Sequence, residues 1–155
     1  MKTKEKKDIE FDYPFIIHAD PLQGPNTYPT HTHGLMEVGW PEFFIDPLAF
    51  GGYGNAGLIN AVYRCLSRPG NGSKLEEVLN GKIVEITDRD LYPGRALDKV
   101  FTYCLREVPR SFEGVKLAYP NQAEHENIPL RVVQIWVKGD DFALMDEYYK
   151  GGVRW

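Results

Sequence analysis

The chain has 155 residues, a length typical of one folded domain, and its 43% hydrophobic and 26% charged residues are those of a soluble globular protein. A net charge of −4 argues against a general nucleic-acid-binding protein, which would present a basic face to phosphates. The sequence also contains no apolar run of roughly 18 residues, so a membrane-spanning helix is not expected.

The predicted domain organisation is a flexible tail over residues 1–13 followed by a single α+β domain over residues 14–155. The tail has lysines interleaved with acidic residues, a pattern typical of a solvated segment, and it lacks the apolar region of a secretory signal. The two cysteines, Cys65 and Cys104, lie in apolar patterns without a C-x-x-C partner. These features predict a cytoplasmic protein with buried, reduced thiols.

Apolar patterning in the first third of the chain predicts three short strands. They are expected at residues 14–19, 30–35 and 42–46, where apolar or β-branched residues are followed by glycine or proline. Residues 22–29 contain glycine, asparagine and two prolines, which indicates a loop between the first two strands.

Residues 55–68 form the clearest predicted helix, because apolar residues recur there at helical spacing. These apolar residues form one stripe along the helix, and this stripe should face the core. Its members are Leu58, Ile59, Val62, Cys65 and Leu66.

The second half of the chain predicts a shorter helix and further strands. A capping box that begins at Ser73 indicates the start of the helix, and alternating β-branched residues indicate a strand over residues 82–87. Residues 97–107 fit helical spacing, although their β-branched and aromatic content leaves a strand open. Strands are predicted over residues 115–119 and 130–137.

These elements together predict an α+β fold. Strands outnumber helices and do not alternate with them regularly, which argues against a doubly wound sheet. We expect one mixed or mainly antiparallel sheet with two or three helices packed against it. Within that sheet, the strands at residues 30–35 and 42–46 should be neighbours, and the helix at residues 55–68 should pack on them.

Three motifs share their order and spacing with one bacterial protein family. They are Thr32-x-Gly34-Leu35, Gly39-x-Pro41-Glu42 and Gln134-x-Trp136. Through these motifs the chain resembles the family called domain of unknown function 4262, over roughly residues 14–142. The resemblance implies an α+β domain and supplies no activity, cofactor or catalytic residue. His31 and His33 stand where that family has an aromatic and an aliphatic residue, so no family role is carried onto them.

The histidines of the second predicted strand form the main candidate site. His31, His33 and Glu37 match H-x-H-x-x-x-E, the first ligand motif of cupin barrels. Alternate residues of a strand project from one face, so two imidazoles can meet one metal ion, with Glu37 or His18 as a third ligand. The remaining cupin ligand segment is missing, which favours the alternative of one satisfied core histidine and one surface histidine. The ligand-binding candidates are His18, His31, His33 and Glu37, and no metal or other cofactor is predicted.

Residues 52–57 read G-x-G-x-x-G, the spacing of a dinucleotide-binding loop. A working loop of this kind begins directly at the end of a strand, whereas residues 47–51 intervene here. The acidic residue expected at the ribose falls inside the predicted second helix. We therefore expect the glycines to serve chain reversal and expect no binding of NAD, NADP or ATP.

The function predicted from the sequence is a binding or interaction module without established catalysis. The alternative is a metal-dependent small-molecule enzyme or metal-binding protein centred on His31 and His33. The expected partner is a small molecule or a protein, a second copy of the chain included. Neither nucleic acid nor a membrane is expected as a partner.

Overall fold

The computed structural model describes residues 13–18, 30–45, 55–97, 100–109, 112–120 and 130–137. The strands in these ranges are β1 (Ile16–His18), β2 (Thr30–His33), β3 (Glu42–Ile45), β4 (Val84–Thr87), β5 (Thr102–Val108) and β6 (Val132–Val137). They form one six-stranded sheet in the order β1-β2-β3-β6-β5-β4. Neighbouring strands are antiparallel except β3 and β6, which are parallel, so the sheet is mixed.

The helices of the described ranges are α1 (Asn55–Ser67), α2 (Gly72–Leu79), the single turn α3 (Asp88–Leu91) and α4 (Glu113–Ala118). A 3₁₀ turn over Leu35–Val38 joins β2 to β3. The predicted α+β fold, with a mixed sheet and three helices longer than one turn, is therefore confirmed for the described part of the chain. None of its helices combines the length and apolar character that a bilayer crossing requires.

One face of the sheet, which we call the first face, packs against α1. Ile59, Val62 and Leu66 are almost completely buried there, together with Phe43 and Ile45 of β3. The predicted apolar stripe of the first long helix is thus confirmed. The two predicted neighbouring strands are confirmed as the antiparallel pair β2–β3.

The opposite, second face packs against α4. The strands contribute Phe44, Cys104 and Trp136 to this smaller core. The helix contributes Val115, and Tyr119, which directly follows the end of the helix, packs there as well. The prediction of a strand over residues 115–119 is wrong. Phe112, Val115 and Ala118 are spaced three apart and all are buried, so a helix turns them onto the sheet together.

Two other local predictions change in the structure. The helix α2 begins at Gly72, so its N-cap residue is Asn71 and the predicted capping box at Ser73 is wrong. The Asn71 side chain makes no capping bond and instead donates to the Cys65 carbonyl at 2.7 Å. A capping box exists instead at the start of α3. Within the ambiguous segment 97–107, residues 102–107 belong to the strand β5, because pairing with β4 and β6 on both sides outweighs their helical spacing.

Several sequence predictions fall outside the described residues. They include the predicted tail up to residue 12 and the first half of the G-x-G-x-x-G motif, residues 52–54. The second half of that motif, residues 55–57, is the first turn of α1. Both cysteines are buried and neither forms a disulfide, as predicted.

Candidate metal centre

Pairing of β1 with β2 brings three histidines to one face at the edge of the sheet. The antiparallel register places His18 of β1 directly opposite His31 of β2. His33 lies two residues after His31 and so projects from the same face, as the alternation of a strand requires. The register of this pairing decides the geometry, because a slip of one residue would turn His18 to the other face.

The three imidazoles are close enough to share an ion. One ligand nitrogen from each of His18, His31 and His33 lies within 4.8 Å of the other two. The Nε2 atoms of His31 and His33 are 3.0 Å apart, in hydrogen-bonding contact. In a tetrahedral site with metal–nitrogen bonds of 2.0–2.1 Å, the nitrogens stand about 3.3 Å apart. The β2 pair therefore already has nearly the spacing of two ligands.

The group is buried on one side and open on the other. His31 is 3% exposed, His33 is half-buried, and His18 on β1 is exposed. The ring of Tyr119, which is fully buried, lies beneath the pair, with centroids 5.0 Å from His31 and 5.2 Å from His33. Burial and the nearby Glu42 raise the pKa of Tyr119, so its hydroxyl stays protonated and donates to the Thr32 carbonyl at 2.9 Å.

Glu42, at the start of β3, organises the chain on both sides of His33. Its carboxylate accepts hydrogen bonds from the Thr32 hydroxyl at 2.6 Å and from the backbone amides of Gly34, Leu35 and Met36 at 3.2–3.3 Å. Burial raises the pKa of Glu42, and these hydrogen bonds oppose that rise. All four groups are donors, so the arrangement suits an ionised carboxylate.

Gly34 lets β1 approach the end of β2. Its φ of +116° lies in the region that favours glycine, and an added Cβ would stand 2.8 Å from the Pro14 carbonyl oxygen. A residue with a side chain would therefore push apart the two strands that carry the histidines.

The structure sorts the sequence candidates clearly. It brings together His18, His31 and His33, whereas Glu37 lies exposed on the 3₁₀ turn and is not a member of the histidine group. Of the two candidates for a third member of the group, His18 is therefore the one that lies beside the pair. Tyr119 was not among the sequence candidates. It hydrogen-bonds to Thr32 of β2, which is 87 positions away in the sequence, and local sequence patterns do not report contacts at such a separation.

Gln134 of β6 is a second polar residue on the histidine side of the sheet. It pairs in register with Phe44, which in turn pairs with His31. Its amide is fully buried, and neither amide atom finds a hydrogen-bond partner within the described part of the chain. Because Phe44 stands between it and His31, we do not include Gln134 in the site.

Acidification is expected to destabilise the protein through His33. Burial lowers the pKa of His33 below its ordinary 6.5, and the neighbouring His18 lowers it further. At a pH between the pKa of His33 in the folded protein and its pKa of 6.5 in the unfolded chain, the unfolded chain binds more protons than the folded protein. The free energy of unfolding therefore falls as the pH falls through 6.5. Denaturant melts of the metal-free protein between about pH 7 and pH 5 should show this slope, and His33→Asn should make it shallower. Equal slopes for the two proteins would contradict the assignment to His33.

A comparison with protein-family models found no match for the chain. Neither the curated proteins nor the solved structures gave a match.

Proposed function

We propose that the protein is a metal-binding module in which His18, His31 and His33 hold one divalent transition-metal ion. The observation that carries the proposal is the convergence of three imidazole nitrogens within 4.8 Å of one another. The sequence alone favours no resident metal, because the remaining cupin ligand segment is missing and no local pattern fixes the position of His18 relative to the pair. A third imidazole from the paired strand supplies the ligand that was in doubt.

The ligand chemistry selects the class of ion. Imidazole suits zinc, copper, nickel and iron, whereas magnesium and calcium require oxygen ligands. His31 and His33 need little movement to act as ligands, because their Nε2 atoms are 3.0 Å apart. His18 is exposed and can rotate toward them without disturbing the core. A zinc-like ion with nitrogen ligands fits this group best.

Supporting contacts hold the ligands in place. The Tyr119 ring packs beneath His31 and His33, and Glu42 fixes the backbone before and after His33. Hydrogen-bonded groups around the first ligands commonly change metal affinity by about 10–100-fold when removed.

Calorimetric titration of chelator-treated protein with Zn²⁺ tests the proposal. We expect one ion per chain. We expect His31→Ala to weaken the affinity for zinc by more than the roughly 10–100-fold that is typical when a residue contacting the ligands, rather than a ligand itself, is replaced. Glu37→Gln is the matched control and should bind zinc as the unaltered protein does, since Glu37 is exposed outside the group. Absence of stoichiometric zinc, or zinc binding that survives His31→Ala, would refute the proposal.

We also propose, from the sequence motifs alone, that the chain is a cytoplasmic member of the bacterial domain of unknown function 4262 family. Cys65 and Cys104 are buried thiols outside a disulfide, which supports a reducing compartment. This membership would add no activity to the metal site.

A further inference from the structure

We propose that an ion held by His18, His31 and His33 has a fourth coordination position that faces solvent and binds small monoanions. This inference rests on the proposed metal site and adds the class of ligand that the site takes. Three observations carry it: the number of ligands, the direction in which the group is open, and the charge of its surroundings.

The first observation is the size of the group. Within the described residues it contains three ligand side chains, all histidines. Zinc-like ions are usually four-coordinate, and sites with three protein ligands leave the fourth position to water or a substrate. The ligand set is therefore that of an open site rather than a closed structural one.

The second observation is the graded exposure of the group. The group lies on the second face of the sheet, where Tyr119, which is 1% exposed, closes one side of it, and His31 beside Tyr119 is 3% exposed. On the opposite side, His18 is exposed, and Ile16, which pairs with His33 in register, is 61% exposed. The side of the ion away from Tyr119 is thus the one that a small molecule can reach from solvent.

The third observation is charge. Neutral imidazoles leave the ion its full double positive charge, unlike thiolates or carboxylates. The Glu42 carboxylate accepts four hydrogen bonds from the Thr32 hydroxyl and three backbone amides, and Glu37 lies outside the group, so neither carboxylate is a ligand of the ion. A divalent ion held by three neutral imidazoles keeps a net positive charge even with the single negative charge of Glu42 nearby, so it attracts anions more strongly than neutral ligands.

Cobalt and azide are the probes that test the inference. Tetrahedral Co²⁺ has visible absorption bands that respond to a change of ligand, so they report directly on the fourth position. We expect the cobalt-loaded full chain to show a saturable spectral change on titration with azide, with a single azide per cobalt. Ile16→Lys should tighten azide binding several-fold relative to Ile16→Gln, because position 16 lies beside His33 at the open side.

The outcomes separate this inference from the proposed function. Cobalt that binds but whose spectrum does not change with excess azide would mean that a protein atom fills the fourth position, and the inference would be wrong while the metal site stands. Azide affinity equal in the lysine and glutamine variants would also overturn it, since the fourth position would then not face the exposed side that Ile16 marks. A chain that takes up no cobalt would refute both the metal site and the inference.

Discussion

Replacing Glu42 by alanine is expected to lower the free energy of unfolding by about 3 kcal/mol, one of the two largest effects that the structure predicts. The substitution removes the acceptor of four hydrogen bonds, from the Thr32 hydroxyl and three consecutive backbone amides. A buried donor left without a partner costs about 1–3 kcal/mol. Relief from burying the carboxylate offsets part of this loss, which is why the expected total is below the simple sum.

Denaturant melts of Glu42→Ala and Glu42→Gln measure this effect. Glutamine keeps one oxygen acceptor but turns an NH₂ group toward backbone donors, so it should recover only part of the stability. Glu37→Gln is the control in the same segment, and as an exposed site it should change stability by no more than about 0.5 kcal/mol. A loss in Glu42→Ala as small as that of the control would show that water replaces the carboxylate without cost.

Replacing Gly34 by alanine is expected to cost a similar amount, about 3 kcal/mol, and to weaken zinc binding as well. The positive φ of +116° is unfavourable for any residue with a Cβ, and that atom would stand 2.8 Å from the Pro14 carbonyl oxygen. Because the contacted atom is backbone, β1 must move away from β2. His18 moves with β1, so the ligand group opens along with the sheet edge.

Gly39→Ala separates the cost of the positive φ from the cost of the clash with the Pro14 carbonyl oxygen. Gly39 ends the same 3₁₀ turn with a φ of +87°, but nothing lies within 4 Å of an added Cβ. Its alanine variant should therefore lose only about 1–2 kcal/mol, the conformational part, and keep its zinc affinity. Thermal or denaturant melts with zinc titration of both variants give the comparison. Equal losses of stability and unchanged zinc affinity in both would contradict a steric role for Gly34 at the β1–β2 junction.

Local periodicity explains which parts of the fold could be predicted. Period-two alternation in residues 30–33 places His31 and His33 on one face whatever that strand pairs with. Helical spacing similarly places Ile59, Val62 and Leu66 on one stripe, which the structure buries against β3. In both cases the information lies within a few neighbouring residues, so the sequence expresses it directly.

Prediction failed where local spacing admitted two structures. Residues 115–119 contain two residues that favour strands, Val115 and Tyr119, yet residues 115–118 lie in α4, because a helix buries Phe112, Val115 and Ala118 together on the second face. The three residues between Val115 and Tyr119, lysine, leucine and alanine, favour a helix, so intrinsic propensity and burial agree on the helix.

The amino-acid sequence by itself determined that two histidines share a face, that a glycine follows them, and that a carboxylate begins the next apolar strand. Only the tertiary structure decided that His18 stands opposite His31 and that Tyr119 lies beneath both β2 histidines. It also decided that Glu42 accepts hydrogen bonds from the backbone amides after His33. The reason is physical. Side-chain direction follows from the local backbone, whereas strand register and packing across 87 residues depend on which distant surfaces bury one another.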